Sequence, residues 1–261
     1  MLKATSKFSG LDYYQVLRLI DAEIIPLRMV SRITAKGASP SIRYLTIRHD
    51  VDYDIDQAVN LAEVEADHGI TSTYFLLHTA PYFDYSKEFA DKVKVIQSLG
   101  HDIGIHNNFL TELFSQNGNR KPLVEIIARP IQFIRDLGVD VLGTSSHGDP
   151  KCYTYGYLNY QCWTECPKDY ALKGIQTCPP FPKITMKAFG LEYETYFLHR
   201  DAYLTDTGGK WQGFVKPKEV YPFERSLPMR DLLEATTTFN LQPAGIMQAL
   251  FHPIWWEFAE I

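Results

Sequence analysis

The chain lacks basic clusters, long apolar runs and closely paired cysteines, and each shortage removes a class of function. With 26 Lys and Arg against 31 Asp and Glu, the formal charge is −5. No Lys/Arg-rich segment supplies the basic face that phosphate contacts need, so no nucleic-acid partner is expected. No apolar run approaches the ~18 residues that cross a bilayer. The opening MLKATSKFSGLDYYQVLRLIDAE has neither the apolar core nor the small-residue cleavage site of a secretory signal. A cytoplasmic protein with no membrane-spanning segment is the expectation. Four cysteines, Cys152, Cys162, Cys166 and Cys178, follow a C-x9-C-x3-C-x11-C spacing. Zinc modules built on C-x2-C pairs match that poorly, and free thiols are the default.

What is present is a regular alternation. Apolar residues make up 45% of the 261 and charged ones 22%, enough to bury a core and too apolar for disorder. RYLTIRHD reads as a buried strand, and DIDQAVNLAEVEADHG as a helix with Ala58, Leu61, Ala62 and Glu65 on one face and Gly69 to end it. ITSTYFLLHT is a second strand and SKEFADKVKVIQSLG an amphipathic helix. HDIGIH, the Pro130-containing helix KPLVEIIARPIQFIRDLG and the strand VDVLGTSSH continue the rhythm. YETYFLHRDAYLTD reads as strand structure, MRDLLEATTTF as a late helix and AGIMQALFHP as a final buried strand. Alternating elements in a chain of this length predict an α/β fold, a closed or nearly closed parallel barrel. One domain spans 1–261, with an irregular Tyr-, Cys- and Pro-rich excursion at about 148–183.

The stretch YLTIRHDVDYD places Asp50 and Asp52 two residues apart, hence on one side of a strand. Two carboxylates there repel unless a cation lies between them or one has a raised pKa. The plainer alternative is that Asp52 and Asp54 belong to the turn and cap the next helix. The other strands favour chemistry. His78, His106, His147, Asp206 and His252 also fall at strand ends, and a parallel barrel gathers such ends on one face, where barrel active sites are built. The same reasoning excludes His101, which begins its strand at the opposite rim. His68 is read as a solvated helix-end residue and His199 as a packed strand residue, while His78 is left between packing and substrate contact.

IRHDVD, ITSTYFL, GHDIGIH and IMQALFHPIWW, in that order, resemble the motifs of the polysaccharide deacetylases of carbohydrate esterase family 4, the NodB-homology family. The resemblance covers roughly residues 42 to 110 and 241 to 257. It implies a distorted (β/α) barrel of the glycoside hydrolase/deacetylase type that hydrolyses acetyl groups on sugars with one divalent metal, zinc being expected. Matched residue by residue, it implies Asp50 as general base, Asp52 and His106 as metal ligands and His252 as general acid. Arg48 is expected to tether Asp50 or a neighbouring strand and, with Asp206 and Trp211 of YLTDTGGKW, to serve the substrate site.

The chain departs from the family pattern at one position. The family's second motif continues H-x-x-x-H, but here the run is HNNFL, and Leu110 stands where the second ligand belongs. His147 in SSHGDP is the preferred replacement, with Asn107, Asn108 or solvent as alternatives. RHDVD together with IGIH is also similar to deacetylase-like proteins of bacterial surface-polysaccharide, O-antigen and lipopolysaccharide biosynthesis. The implied substrate is an acylated amino sugar or a sugar-containing precursor. Other branches of the fold cleave small cyclic amides and imides. A sugar-binding protein with an incomplete metal site is the competing reading, and Leu110 is its ground.

Overall fold

Apolar runs on both faces make the two longest strands the centre of the sheet. RYLTIRHDV forms a strand at Arg43–Val51 and GIMQALF one at Gly245–Phe251, each buried along nearly its whole length. Both faces of a parallel sheet are covered, which is why neither run alternates with polar residues. The computed structural model describes residues 8–9, 13, 17–34, 39–116, 120–167, 180–209, 211–215 and 236–257. In chain order the strands are β1 (Phe8–Ser9), β2 (Glu23–Ile24), β3 (Arg43–Val51), β4 (Thr73–Leu77), β5 (Asp102–Asn107), β6 (Val141–Ser146), β7 (Tyr193–Glu194), β8 (Ala202–Thr205), β9 (Gln212–Val215), β10 (Gly245–Phe251) and β11 (Trp256–Glu257).

The main sheet runs β7-β6-β5-β4-β3-β10-β8-β9, with β2 added to β3, while β1 and β11 pair separately. Seven consecutive strands, β7 to β8 along that path, are parallel, and only β9 turns back antiparallel on β8. Helices Ile55–Asp67, Lys87–Ser98 and Leu123–Asp136 form the crossovers between β3 and β6. The architecture is a curled, distorted (β/α) barrel, as the alternation predicts.

Adjacent parallel partners share a face, so the register sorts side chains into two layers. Arg48, Asp50 and Phe75 lie on one face, since Asp50 pairs with Phe75 and Arg48 with Thr73. On that inner face Phe75 pairs with Gly104, and Tyr193 with Gly143. A Cβ at Gly104 would meet the Phe75 ring at 2.4 Å, and one at Gly143 the Tyr193 ring at 2.1 Å. The rings take the space these glycines leave, closing the floor of the barrel with Leu27. On the outer face Leu45, Ile47, Leu76 and Ile105 pack in one core with Leu61, Val93 and Ile131 of the crossover helices.

One charged residue lies within that outer core. Helix Ile55–Asp67 begins on Asp54, whose carboxylate accepts the Asp56 and Gln57 N–H groups, and buries Ile55, Ala58, Leu61, Ala62 and Glu65. Asp54 is thus the helix cap of the plainer sequence reading, whereas Asp52 is not. Glu65 is fully buried. It accepts hydrogen bonds from Ser72 Oγ (2.7 Å), Tyr74 OH (2.8 Å) and the Tyr13 hydroxyl, and lies 2.9 Å from His49 Nε2. Burial works to raise its pKa, and His49, His101 and Ser72 outweigh burial, leaving it below the ordinary 4.5. His101 is structural, as expected: Nδ1 accepts the Ser72 N–H at 3.2 Å and Nε2 faces Ala62 O at 3.0 Å.

Several local readings change. YETYFLHRDAYLTD is not continuous strand, because a 3-10 turn at Thr195–Phe197 separates β7 from β8. His199 is consequently exposed in the connection, 3.0 Å from Asp201, rather than packed in a strand. His68 does cap its helix in solvent. Cys152, Cys162 and Cys166 are free thiols, and Cys178 lies outside the described residues, as does most of MRDLLEATTTF. Among the described residues no helix is long and apolar enough to cross a membrane.

Replacing the buried charge tests the outer core. Glu65→Gln should lower unfolding free energy by about 2–4 kcal/mol at pH 7, because four donors lose an ionised acceptor. A carboxylate with a depressed native pKa contributes above its unfolded value, and the contribution is lost as pH falls. The gap between variant and wild type in urea denaturation should therefore narrow as pH drops below 4.5. A gap independent of pH would contradict this account.

Candidate active site and metal centre

Parallel strands end on one rim, and six of them place a His or Asp there. Asp50 is the penultimate residue of β3 and Asp52 follows its end. His78, His147, Asp206 and His252 directly follow β4, β6, β8 and β10, and His106 is the penultimate residue of β5. Neighbouring strands stand ~4.8 Å apart, and the curl of the sheet turns the rim ends of β3, β5 and β6 toward one another, so their side chains can converge.

Three of them converge. Ligand atoms of Asp52, His106 and His147 all lie within 4.8 Å of one another. His106 Nε2 is 3.2 Å from Asp52 Oδ1 and 3.1 Å from His147 Nδ1, and His147 Nδ1 is 3.5 Å from Asp52 Oδ1. Four-coordinate zinc with bonds of about 2.0–2.1 Å places its ligands on tetrahedral edges of about 3.3–3.4 Å. The three separations match one face of such a tetrahedron. Asp52 Oδ1 is buried and, despite its two imidazole neighbours, in hydrogen-bond alignment with no donor. His106 Nδ1 meets the Ser145 carbonyl at 2.8 Å. A carbonyl only accepts, so Nδ1 carries the proton and Nε2 turns its lone pair to the shared point. The residues present therefore fit a divalent ion.

The electrostatics agree. Burial opposes the Asp52 charge, yet the adjacent His106 and His147 imidazoles hold its pKa far below the usual carboxylate range. Burial likewise lowers the pKa of His106, while Asp50 and Asp52 raise it by more. The two carboxylates exert the same pull on any cation placed among these rings.

Leu110 is fully buried, as its chemistry requires. The two asparagines beside it turn their amides elsewhere. Asn107 follows His106 on β5 and so faces the opposite side of the strand, its Nδ2 donating to Glu194 at 2.8 Å, while Asn108 Oδ1 accepts the Asn159 amide at 2.9 Å. Of the residues considered as replacements for the missing ligand, His147 is the one the fold brings beside Asp52 and His106.

Asp50 sits behind this triangle with 3% exposure. Its Oδ2 is 3.4 Å from Arg48 Nη2, accepts the Ser145 hydroxyl at 3.4 Å and lies 3.8 Å from His106 Nε2. Its Oδ1 is buried without a hydrogen-bond partner. Arg48 is 1% exposed and also donates to the Thr195 hydroxyl. Burial works against its charge, but Asp50 holds it protonated. Arg48 is thus the tether the sequence suggested, and it has no face open to a substrate.

His252 approaches Asp52 from the other side, with Nε2 4.0 Å from Asp52 Oδ2. It directly follows β10, the strand next to β3. Asp206 fixes it. The carboxylate takes the His252 backbone N–H at 2.9–3.1 Å, the ring Nδ1–H at 2.6 Å and the Trp256 indole N–H at 2.8 Å. Burial lowers the imidazole pKa, but Asp206 more than reverses this, raising it to about 9.

Two residues expected to serve the substrate site are buried. Asp206 is fully buried under Trp256 and orients His252. Trp211 is 2% exposed, edge-on to Phe251 and Trp256 in an aromatic core, because that cluster needs its ring. His78 also turns away, accepting the Asn108 N–H at 2.9 Å with Nδ1 3.3 Å from Glu112. The sequence reading missed Glu194. It accepts Asn107 Nδ2, the Thr144 hydroxyl (2.7 Å) and the Ser146 N–H (3.0 Å), bracing the residues beside both site histidines. Burial pushes its pKa up to about 7 against Thr144 and Arg48. A lone acid in the aromatic run YETYF was the available signal.

No protein-family model and no curated protein sequence matches this chain. Among solved structures, a Streptococcus mutans CE4 esterase is similar at 12% identity over 89% of this chain and 82% of that one, with TM-score 0.47. A CE4 family pseudoenzyme from Bacillus anthracis is similar at 12% identity and TM-score 0.44, covering 83% of this chain but only 57% of that one. The catalytic domain of a peptidoglycan N-acetylglucosamine deacetylase from Eubacterium rectale is similar at 13% identity over 82% of this chain and 77% of that one, TM-score 0.38. The functional reading therefore rests on the geometry of the site itself.

Proposed function

We propose that this protein is a zinc-dependent amidohydrolase that removes an acetyl or similar acyl group from an amino sugar in bacterial surface-polysaccharide metabolism. The observation that carries the reading is the triangle of Asp52, His106 and His147 at tetrahedral-edge spacing, flanked by one carboxylate and one imidazolium. The order of the four motif stretches supports an acylated amino sugar as substrate. His147 at the third corner weighs against the incomplete-site reading, whose ground was Leu110.

A divalent ion held there supplies Lewis acidity, polarising a carbonyl and making water acidic enough to deprotonate near neutral pH. Asp52, His106 and His147 would hold it. Asp50, paired with Arg48, has in Oδ1 a buried acceptor able to take a proton from an attacking water. An amine is a poor leaving group and needs a proton as the carbon–nitrogen bond breaks. His252 stores that proton on Nε2, because Asp206 occupies Nδ1 and stabilises the charged ring. Base and acid thus reach the triangle from different sides.

Elemental analysis should find one zinc per chain in wild type and none at stoichiometric level in Asp52→Asn, His106→Ala or His147→Ala. Asp50→Asn should keep the metal and lose about 10²- to 10⁴-fold in acetate release from N-acetylated sugars. Metal loss in Asp50→Asn would make Asp50 a ligand, and turnover of cyclic imides in place of acetylated sugars would overturn the substrate class. For the acid, NMR titration of metal-free protein should place His252 at about 9, and Asp206→Asn should move it toward 6.5. A raised imidazole pKa stabilises fully below its unfolded value, so this pair's contribution should fade as pH rises through about 9. An unshifted His252 in the variant would refute Asp206 as its partner.

A further inference from the structure

We propose that Asn159, on the Tyr- and Cys-rich excursion, is a positioning residue for His147, so that the excursion is a working part of the metal centre. The inference rests on the reading of Asp52, His106 and His147 as that centre. Asn159 sits in a 3-10 turn at Asn159–Cys162 and is fully buried.

Its amide is oriented by its partners, without ambiguity between oxygen and nitrogen. Oδ1 accepts two backbone N–H groups, Leu110 at 3.0 Å and Thr111 at 3.1 Å. These open the helix Phe109–Ser115, whose N-cap residue Asn108 makes no side-chain cap bond. Nδ2 then faces acceptors, the nearest being Asn108 Oδ1 at 2.9 Å and the His147 carbonyl at 3.0 Å. An NH₂ group has two protons, and these two contacts use both. One side chain therefore joins the segment after His106 to the peptide that carries His147.

The other side of His147 is fixed as well. Its N–H donates to Asn107 O at 2.9 Å, and the preceding Ser146 N–H donates to Glu194. Asn159 completes this by holding the carbonyl at the point where the chain leaves β6 for Gly148. With both flanking peptides fixed, the imidazole retains only its own side-chain torsions. A ligand held in this way spends less conformational entropy on binding an ion. The same amide also covers the helix start that bears Leu110, where the family resemblance implies a ligand. Loss of that ligand and support of its replacement meet in one residue.

Asn159→Asp separates capping from positioning, since a carboxylate still accepts from Leu110 and Thr111 but donates to nothing. Competitive zinc titration should show affinity about 10- to 100-fold weaker than wild type, the usual cost of removing support behind a ligand. The added negative charge would, if anything, favour a cation. Cobalt-substituted protein should lose intensity in its tetrahedral d–d bands. In a His147→Ala background, the weak residual zinc affinity of Asp52 and His106, read at high zinc, should not fall further with Asn159→Asp, whereas a merely structural role would lower it there as well. Should Asn159→Asp fail to fold, Asn159→Ser, which removes the donor without adding charge, is expected to give the same weakening. Affinity and cobalt spectrum unchanged in a folded variant, or equal losses with and without His147, would overturn the proposal. A wild type that binds no metal would instead refute the centre itself.

Discussion

Asp52 Oδ1 stands among two imidazole nitrogens at 3.2 and 3.5 Å, buried and accepting no aligned hydrogen bond. A carboxylate in that state is costly unless positive charge shares its surroundings. The rest of the rim can be understood as the support of this arrangement. Ser145 sets the His106 tautomer, Arg48 neutralises Asp50, and Asp206 keeps His252 charged nearby. None of these partners belongs to the triangle, yet each fixes the charge or direction of a group beside it.

The pleat of one strand makes this economical. Along β3 the side chains alternate, so Arg48 and Asp50 face the barrel interior while His49 between them faces the helices. The inward pair serves the rim, and the outward imidazole joins Glu65 in the core beneath helix Ile55–Asp67. A one-residue slip of β3 against β4 or β10 would exchange the two sets, placing His49 at the rim and the carboxylate in an apolar core. The buried Glu65 network and the rim thus penalise the same misregistration. Phe75 over Gly104 and Tyr193 over Gly143 fix the neighbouring strands in the same way.

How much was legible in the sequence follows from what period and position encode. The β/α alternation gave the barrel, and parallel strands with a His or Asp at their ends gave the rim, including His147 in a stretch with no motif behind it. What a linear reading cannot fix is the direction of a side chain beyond its strand. Asp206 and Trp211 were expected at the substrate site, but Trp256 and Phe251 hold them in a buried aromatic layer. His199 was misplaced because a 3-10 turn interrupts what reads as one strand. Glu194 and Asn159 act through groups far off in sequence, and no local pattern marks such contacts.

The central claim is that one divalent ion is held jointly by Asp52, His106 and His147. Diffraction at the zinc absorption edge from crystals grown with zinc tests it most directly. The account expects a single strong anomalous peak, with Asp52 oxygen, His106 Nε2 and His147 Nδ1 each about 2.0–2.2 Å away. A peak bound by Asp52 and His106 but more than about 3 Å from either His147 nitrogen would contradict the three-residue centre. No peak among these residues despite excess zinc would remove the metal from the account altogether.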